Sequence, residues 1–479
     1  MKKSSVKLNY LYNLGYQILA LVLPLITTPY ISRVLGDQMI GRYSYTLSVA
    51  TYFLMFGNLG IATYAQLKIS STRDNEIECS KLFWELFLTR SITMIISFFA
   101  YICLAFSSKE YKQEFIALSI LLLSGLFDIT WFFQGLEEFK IIVLRNSIVK
   151  LVCLILIFAL VKDESDLIVY ILIMQGSTLI GNISLWPYCK KYIKSAIKFK
   201  FHFKFHIKQC LIFFIPTFAA SMYTYFDKVL IEWITHSSEQ NAYYEQAHKI
   251  EQMTIVVITS LNTVLLPKMA YLNKKKNSES YFNQVYLTLK IVMILAFPMA
   301  AGLFCVSDKL IPWFLGSEFM PSIPLLKIFS FLIICTSINT IIGCQCLLAR
   351  ERQRQYNTAL ILGSASNVLF NILFIPKVGA LGAAAGTVLA EVCIFIIFYI
   401  NTKGELNYIR CLKIAVKPLI ATLIMIGALL IFNIIYPEAK TIYLVLEVIV
   451  GIVVYVISLF LLKDKLFLEV LQRGKNILK

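Results

Sequence analysis

Apolar segments of about 20 residues or more recur along the whole chain, and only short polar stretches separate them. Each is long enough to cross the hydrocarbon core of a bilayer as an α-helix, which satisfies its own backbone hydrogen bonds. We count fourteen such segments, at residues 8–33, 41–67, 82–106, 115–134, 141–161, 167–188, 210–234, 242–269, 281–306, 323–348, 357–376, 381–400, 412–435 and 442–462. Hydrophobic residues make up 58% of the chain and charged residues only 15%, against about 45–50% and about 25% in soluble domains. The sequence therefore predicts an all-α polytopic membrane protein with about fourteen transmembrane helices.

The distribution of Lys and Arg predicts the orientation of these helices. The apolar run that follows the basic residues 1–7 is long and has no small-residue cleavage site, so we interpret it as the first span rather than a signal peptide. If both termini are cytoplasmic, the inside segments hold 31 of the 45 Lys and Arg residues and the outside segments hold eight. This bias matches the positive-inside rule. It also explains the net charge of +17 without nucleic-acid binding, for which the chain has no soluble domain.

Short motifs in the first half of the chain return in the second half. YISRVL at residues 30–35 resembles YFDKVL at 225–230, and LTRSITMI at 88–95 resembles LTLKIVMI at 287–294. Gln134 and Asn146 are spaced as Gln345 and Asn357 are. Three matches in the same order indicate a parallel internal repeat, which is typical of alternating-access transporters. We predict two six-helix lobes (1–188 and 210–401), a cytoplasmic basic linker (189–209), and two further helices with a cytoplasmic tail (402–479).

Several cations lie inside the predicted spans, where ionisable residues are costly and usually face a cavity or a partner. The candidates for a cationic cavity are Arg33, Arg90, Lys228, Lys249 and Lys290. Guanidinium and ammonium groups would bind an anionic head group such as a pyrophosphate. The alternative is that these residues form local ion pairs or extend to the membrane surface. Glu245 and Lys249, for example, have the spacing of a helical ion pair.

Carboxylates in the spans are candidates for ion coupling, since a carboxylate can exchange a proton or Na⁺. We single out Asp128, Asp227 and Glu391, of which Asp128 and Glu391 are the deeper in their predicted spans. His248 could also titrate near neutral pH, although a hydrogen-bonded packing role is the commoner one. The 11 cysteines have neither metal-ligand nor disulfide spacing, so the sequence predicts no metal site, and we expect no cofactor.

The basic linker ends in an alternating sequence, KFKFHFKFHIK at residues 198–208. A period of two predicts an extended segment with phenylalanines on one side and basic residues on the other. Such a segment would anchor on anionic lipid head groups. His202 and His206 have i,i+4 spacing, which serves a metal only on a helix, so this pattern argues against a metal pair.

Three segments resemble the oligosaccharide flippases, or Wzx-type polysaccharide transporters. They are residues 24–45 (PLITTPYISRVLGDQMIGRYSY), residues 128–137 (DITWFFQGLE) with Arg145 and Asn146, and residues 375–386 (IPKVGALGAAAG) with Glu391. The resemblance implies the fold of the multidrug/oligosaccharidyl-lipid/polysaccharide (MOP) exporters. It also implies the movement of undecaprenyl-pyrophosphate-linked oligosaccharide to the outer leaflet of a bacterial cytoplasmic membrane. The product would be O-antigen, capsule or a similar polymer, with the polymerase machinery as a further partner.

Other functions stay open at this point. A lipid II flippase or a drug antiporter of the same superfamily is possible on this evidence, although the two additional helices argue against the drug-exporting branch. A polytopic glycosyltransferase or polymerase would usually need a large outside loop with catalytic groups. The longest predicted outside loop, at residues 307–322, carries only Asp308, Lys309 and Glu318 as charges. We therefore expect a transporter rather than an enzyme and assign no catalytic residue.

Overall fold

The computed structural model describes residues 6–194, 201–274, 278–438, 440–464 and 466–468. These residues form α-helices joined by short 3₁₀ and π-helical turns, and none of the described segments is a strand. The α-helices are α1 (Val6–Asn58), α2 (Ile61–Thr72), α3 (Glu76–Ser107), α4 (Lys112–Phe127), α5 (Thr130–Gly135), α6 (Phe139–Leu160), α7 (Leu167–Ile183), α8 (Trp186–Cys189), α9 (Phe203–Ser221), α10 (Asp227–Thr235), α11 (Ser238–Lys274), α12 (Ser278–Phe314), α13 (Ser322–Ile341), α14 (Gln353–Val378), α15 (Ala380–Thr402), α16 (Tyr408–Ile435) and α17 (Thr441–Leu461). The predicted all-α membrane architecture is thus confirmed.

Eleven helical segments of the described residues are long and apolar enough to cross a membrane, or twelve if a bent pair is one span. The bent pair is Phe203–Ala219 with Thr224–Thr235, which meet at 58°. One of the eleven, Val22–Thr72, contains the predicted second span and part of the first. The predicted eighth span corresponds to α11, which is not among the eleven. The count of fourteen and the orientation of the termini therefore stay predictions.

The long helix α1 is two helices joined at Gly36. This glycine has φ 70° and ψ 176°, outside the helical region, in a conformation that L-residues with a side chain rarely adopt. The break falls between the first two predicted spans, where the sequence analysis placed the first outside loop. Gly36 therefore lets the chain change direction without a longer loop.

The chain forms two compact units, Met1–Ala242 and Tyr243–Lys479. In the first unit, the rings of Phe83, Trp131 and Phe132 pack together, with centroids 5.5 Å and 4.8 Å from Phe83. This unit includes α9 and α10, which the sequence analysis assigned to the second lobe. The division into six, six and two helices stays a prediction.

In the second unit, the last two helices pack on α12. Their shared core contains Cys305 from α12, Met425 and Leu429 from α16, and Tyr455 and Leu459 from α17. Because these side chains come from all three helices, burial of apolar surface holds α16 and α17 against α12.

The basic, phenylalanine-rich linker differs from its prediction. Residues 195–200 lie outside the described residues, but α9 begins at Phe203, so the expected extended strand is wrong for 203–208. On this helix, His206 is buried, with Nε2 2.7 Å from Glu85 Oε2 and Nδ1 3.3 Å from the Tyr64 hydroxyl. The exposed His202 ring lies 3.6 Å from the same carboxylate oxygen. Both histidines thus contact Glu85, and among the described residues no His, Cys, Asp and Glu cluster could hold a metal ion.

Gly41 is the position in α1 where a side chain is least tolerable. A Cβ at this residue would come within 1.7 Å of the Ser238 carbonyl oxygen, a backbone atom at the start of α11. We expect Gly41→Ala to destabilise the protein strongly, because one of the two helices must shift. The measurement is thermal unfolding of the detergent-solubilised full-length chain.

Gly176→Ala is the matched control for this prediction. Gly176 is also helical, but an added Cβ would meet nothing within 4 Å. Alanine is the better helix former by about 1 kcal/mol, so this variant should be as stable as the wild type or more so. Equal stability of the two variants would contradict the close approach of Gly41 to Ser238.

Candidate functional site

The predicted cation Arg90 and the predicted carboxylate Asp128 form an ion pair inside the first unit. Arg90 lies on α3 and is 2% exposed; its Nη2 is 3.4 Å from Asp128 Oδ2, and its Nη1 donates to the Asp128 backbone carbonyl. The backbone N–H of Thr130 donates to the other carboxylate oxygen at 2.8 Å. Arg90 Nε has no hydrogen-bond partner among the described residues. The pair neutralises both charges and leaves one buried N–H unsatisfied.

The segment around Asp128 is held by packing as well as by charge. Asp128 caps the end of α4, and two residues later α5 begins. Trp131 in α5 is 1% exposed, against the aromatic core. Gly135 ends α5, and a Cβ there would come 2.8 Å from Ile69 side-chain atoms. The DITWFFQG motif therefore fixes the break between α4 and α5, which positions the Asp128 carboxylate.

A second arginine lies next to this pair, and sequence reasoning assigned it no role in the site. Arg145 on α6 donates from Nη2 to Thr130 Oγ1 and from Nη1 to Asn182 Oδ1, each at 3.2 Å. Asn182 in turn donates to the Ser124 carbonyl at 2.8 Å. The predicted orientation includes Arg145 among the 31 cations of the cytoplasmic segments. Its presence in the quoted motif, directly before Asn146, was the one signal that could have drawn attention to it.

A buried hydrogen-bond network joins α10, the start of α11 and the loop between α3 and α4. The Tyr111 hydroxyl donates to Glu232 Oε1 at 2.5 Å, and Asn241 Nδ2 donates to Oε2 at 3.2 Å. Burial and the neighbouring Glu232 carboxylate raise the pKa of Tyr111 well above its usual range, so its hydroxyl stays a donor. The Arg42 guanidinium lies over the Tyr111 ring at 4.7 Å and donates to Glu114 at 2.6 Å. The predicted orientation would place this network on the outer side.

Three further predicted residues also lie in the first unit. Asp227 is fully buried at the start of α10, and the adjacent Lys228 is 7% exposed, with Nζ 5.5 Å from the centre of the Tyr225 ring. Arg33 lies on α1 and is exposed. The described contacts place Asp227 and Lys228 inside the unit and Arg33 on its surface.

The remaining predicted cations lie in the second unit. Lys290 on α12 forms an ion pair with Asp464, with Nζ 2.9 Å from Oδ1; Asp464 is 1% exposed. Because Asp464 follows α17, this contact ties the end of the added helical pair to the ninth predicted span. Lys249 is half-buried on α11. Glu391, on α15, accepts a hydrogen bond from Asn339 Nδ2 at 2.6 Å.

A second buried ion pair went unrecognised in the sequence. Lys309 Nζ lies 2.9 Å from Glu447 Oε2 and 2.5 Å from Asn433 Oδ1, while Asn433 Nδ2 donates to Glu447 Oε1 at 2.9 Å. Lys309 is 4% exposed and Glu447 is fully buried. We had placed Lys309 in an outside loop, and nothing in the sequence relates it to a residue so far along the chain.

An apolar cavity of about 490 Å³ lies beside this second ion pair. Its walls come mainly from α12, α16 and α17, with residues such as Pro298, Met425, Ile452 and Tyr455, and Glu447 is its charged lining residue among those described. A cavity of this volume and polarity fits a hydrocarbon chain rather than a sugar.

The architecture of packed apolar helices is that of solved transporters of the MOP superfamily. The chain is similar to a lipid II flippase, MurJ, in its inward closed conformation, with a TM-score of 0.75 and 18% identity over 94% of this chain and 98% of that one. It is also similar to an inward-facing multidrug resistance MATE transporter of the MOP superfamily, with a TM-score of 0.58 and 13% identity over 80% and 98%. These likenesses confirm the predicted fold.

The family follows from the sequence match. Residues 6–273 match the family described as "Polysaccharide biosynthesis protein", and this chain belongs to it. A relative from Shigella dysenteriae, named as a putative O-antigen transporter, is 25% identical over 82% of this chain and 98% of its own length. The resemblance found from the three motifs is thereby confirmed.

Proposed function

We propose that this protein is a flippase that moves an oligosaccharide linked to undecaprenyl pyrophosphate from the inner to the outer leaflet of a bacterial cytoplasmic membrane. The main observation in support of this proposal is that more than half of the chain matches a polysaccharide biosynthesis family. A relative that this chain matches over almost the whole of the relative's length is named as a putative O-antigen transporter. Transport would proceed by alternating access and supply O-antigen, capsule or another surface polysaccharide, with the polymerase machinery as a partner.

The chemistry of the described residues suits the two ends of such a substrate. The apolar cavity along α12, α16 and α17 is large enough for part of a prenyl chain. Cations inside the units suit a pyrophosphate. Arg90 is the best supported of these, because its buried Nε–H lacks a partner among the described residues and buried donors are normally satisfied. The other proposed binding residues are Arg33, Lys228, Lys249 and Lys290.

Ion coupling is part of the same proposal. Asp128, Asp227 and Glu391 are the proposed carboxylates for H⁺ or Na⁺. Asp128 already holds Arg90, and Asp227 is fully buried. Glu391 is half-buried and accepts a hydrogen bond from the neutral amide of Asn339, whereas Asp128 is paired with a cation.

Deletion of the gene in its native host tests the function directly. We expect the surface polymer to disappear and a lipid-linked oligosaccharide to accumulate on the cytoplasmic leaflet, because its synthesis continues while its export stops. The measurement is mass spectrometry of extracted lipids before and after treatment of intact cells with a glycosidase that cannot cross the membrane. Complementation with the wild-type chain is the control. A deletion strain with normal polymer and no lipid-linked intermediate would contradict the proposal.

A further inference from the structure

We propose that Glu251 and Glu391 together form a proton-binding site inside the second unit, and that this proton drives transport. Proton binding by the two glutamates does not depend on the proposed function. The coupling of this proton to transport rests on the proposed flippase function. Glu251 lies on α11 and Glu391 on α15. The Tyr244 hydroxyl on α11 is 3.2 Å from Thr387 Oγ1 on α15, so the two helices are in contact one to two turns before the glutamates, and the two carboxylates lie within electrostatic range of each other. Sequence reasoning named Glu391 as one of three coupling candidates but gave it no carboxylate partner.

Glu251 is buried without the compensation that an ionised carboxylate needs. It is 2% exposed, and among the described residues its titratable neighbours are Glu391 and His248. His248 Nε2 is 3.9 Å from Glu251 Oε2, beyond hydrogen-bond distance. Since an ionised carboxylate buried in this way is far more costly than a neutral carboxyl group, a proton stabilises the pair.

Asn339 supplies a second, independent sign of a missing ligand. It is 5% exposed, and its Nδ2 donates to Glu391 Oε2 at 2.6 Å. Its Oδ1, on the same amide, has no hydrogen-bond partner among the described residues. A buried acceptor beside the Glu391 carboxylate requires a donor, and a proton on the carboxyl pair would supply one.

The surrounding groups favour a proton over a metal ion. Cys335 on α13 and Tyr356 on α14 lie within electrostatic range of Glu391, and α11 contributes His248 beside Glu251. Among the described residues named here, the oxygens that a hard cation prefers are those of the two carboxylates and Asn339 Oδ1, fewer than the roughly six that Mg²⁺ or Ca²⁺ takes. The Asn339 N–H already occupies one oxygen of Glu391, which leaves less of it for a metal.

The position of the pair suits coupling. Glu391 is the twelfth of the 23 residues of α15, so it lies at the middle of that helix. Without the proton, two like charges would repel each other across α11 and α15 in a medium of low dielectric. Protonation removes this repulsion, so proton binding and release would change how the two helices pack.

Infrared difference spectroscopy of the full-length protein tests proton binding without any substrate. The protein is reconstituted in phosphatidylethanolamine–phosphatidylglycerol vesicles, and spectra are compared between neutral and alkaline buffer, because exposed carboxylates are ionised in both. We expect a C=O stretch of a protonated carboxylic acid in the wild type and its loss in E251Q/E391Q. An unchanged band in that double variant would overturn the site.

The matched control removes two paired carboxylates from the same unit. The variant D308N/E405Q removes the carboxylate of Asp308, which pairs with Lys327, and that of Glu405, which pairs with Arg350. Because these carboxylates are paired with cations, the infrared band should persist in this variant. The single variants E251Q and E391Q each mimic one neutral carboxyl group, so they should fold even if the double variant does not. Each single variant should also change the infrared band. Replacing KCl by NaCl at constant pH should leave the wild-type band unchanged; its loss would mean that the site holds Na⁺ and would overturn the proton assignment.

Surface polymer in the native host then tests coupling. We expect loss of polymer in E251Q/E391Q and normal polymer in D308N/E405Q. Normal polymer in both, with the infrared band lost in the first, would overturn the coupling role. If the gene deletion accumulates no lipid-linked oligosaccharide, the proposed function fails, but the infrared result stands, so the two failures are distinguishable.

Discussion

Replacing Arg90 by methionine is expected to abolish surface polymer and to lower the thermal stability of the protein. The change leaves the Asp128 carboxylate without its guanidinium partner 3.4 Å away, and breaking a buried ion pair by removing one member costs about 3–5 kcal/mol. Asp128 is partly exposed, with 29% of its side chain accessible, so we expect a cost near the lower end. The measurements are polymer on the cell surface and thermal unfolding of the solubilised chain.

The double variant R90M/D128L separates a structural role of the Arg90–Asp128 pair from a role in transport. It removes both charges, and replacing a whole buried pair by apolar residues is often neutral for stability. If the pair takes part in transport, through pyrophosphate binding at Arg90 or ion coupling at Asp128, stability returns but polymer stays absent. Restoration of both stability and polymer would show that Arg90 serves only to hold Asp128, and the cationic binding role would be wrong for this residue.

Replacing Glu447 by alanine should have the largest effect on the stability of the second unit. Lys309 and Asn433 both bond to this fully buried carboxylate. Its removal leaves the Lys309 ammonium beside an apolar cavity. We expect a loss of about 3–5 kcal/mol, measured as a fall in the unfolding temperature of the solubilised protein.

Two control variants make this second prediction specific. In K309M/E447M both charges are absent, so stability should be close to that of the wild type. Glu438 and Lys440 form an exposed pair at 2.5 Å, and Glu438→Gln should change nothing measurable, because solvent screens such pairs. Equal loss in E447A and K309M/E447M would show that packing at this position, not charge compensation, determines the stability.

The sequence was enough to predict a helical membrane protein, because hydropathy is a local property of each segment. Each apolar segment must satisfy its own backbone hydrogen bonds in the bilayer, so length and composition are enough to indicate a helix. The break at Gly36 was also close to predictable, since charged and polar residues surround it. The helical conformation of residues 203–208 was not predictable, because the alternation of KFKFHFKFHIK gives no sign that His206 would lie against Glu85 and Tyr64.

The candidate residues were predictable one by one, but their partners were not. The cost of burying charge in a membrane marked Arg90, Asp128, Lys290 and Glu391 as unusual. Which carboxylate meets which cation depends on how helices pack, and several pairings join residues that are very distant in the chain. Asp464 pairs with Lys290, and no spacing rule connects them.

The sequence by itself determined that this chain is a helical membrane protein, that its long segments are apolar enough for a bilayer, and which family it resembles. These follow from composition, segment length and motifs, all of which are local along the chain. Only the tertiary structure decided that Arg90 is compensated by Asp128. It also decided that Glu251 and Glu391 lie within electrostatic range of each other, with no lysine or arginine among their described partners. Charge compensation depends on distances between helices, and those distances are set by packing of the whole unit.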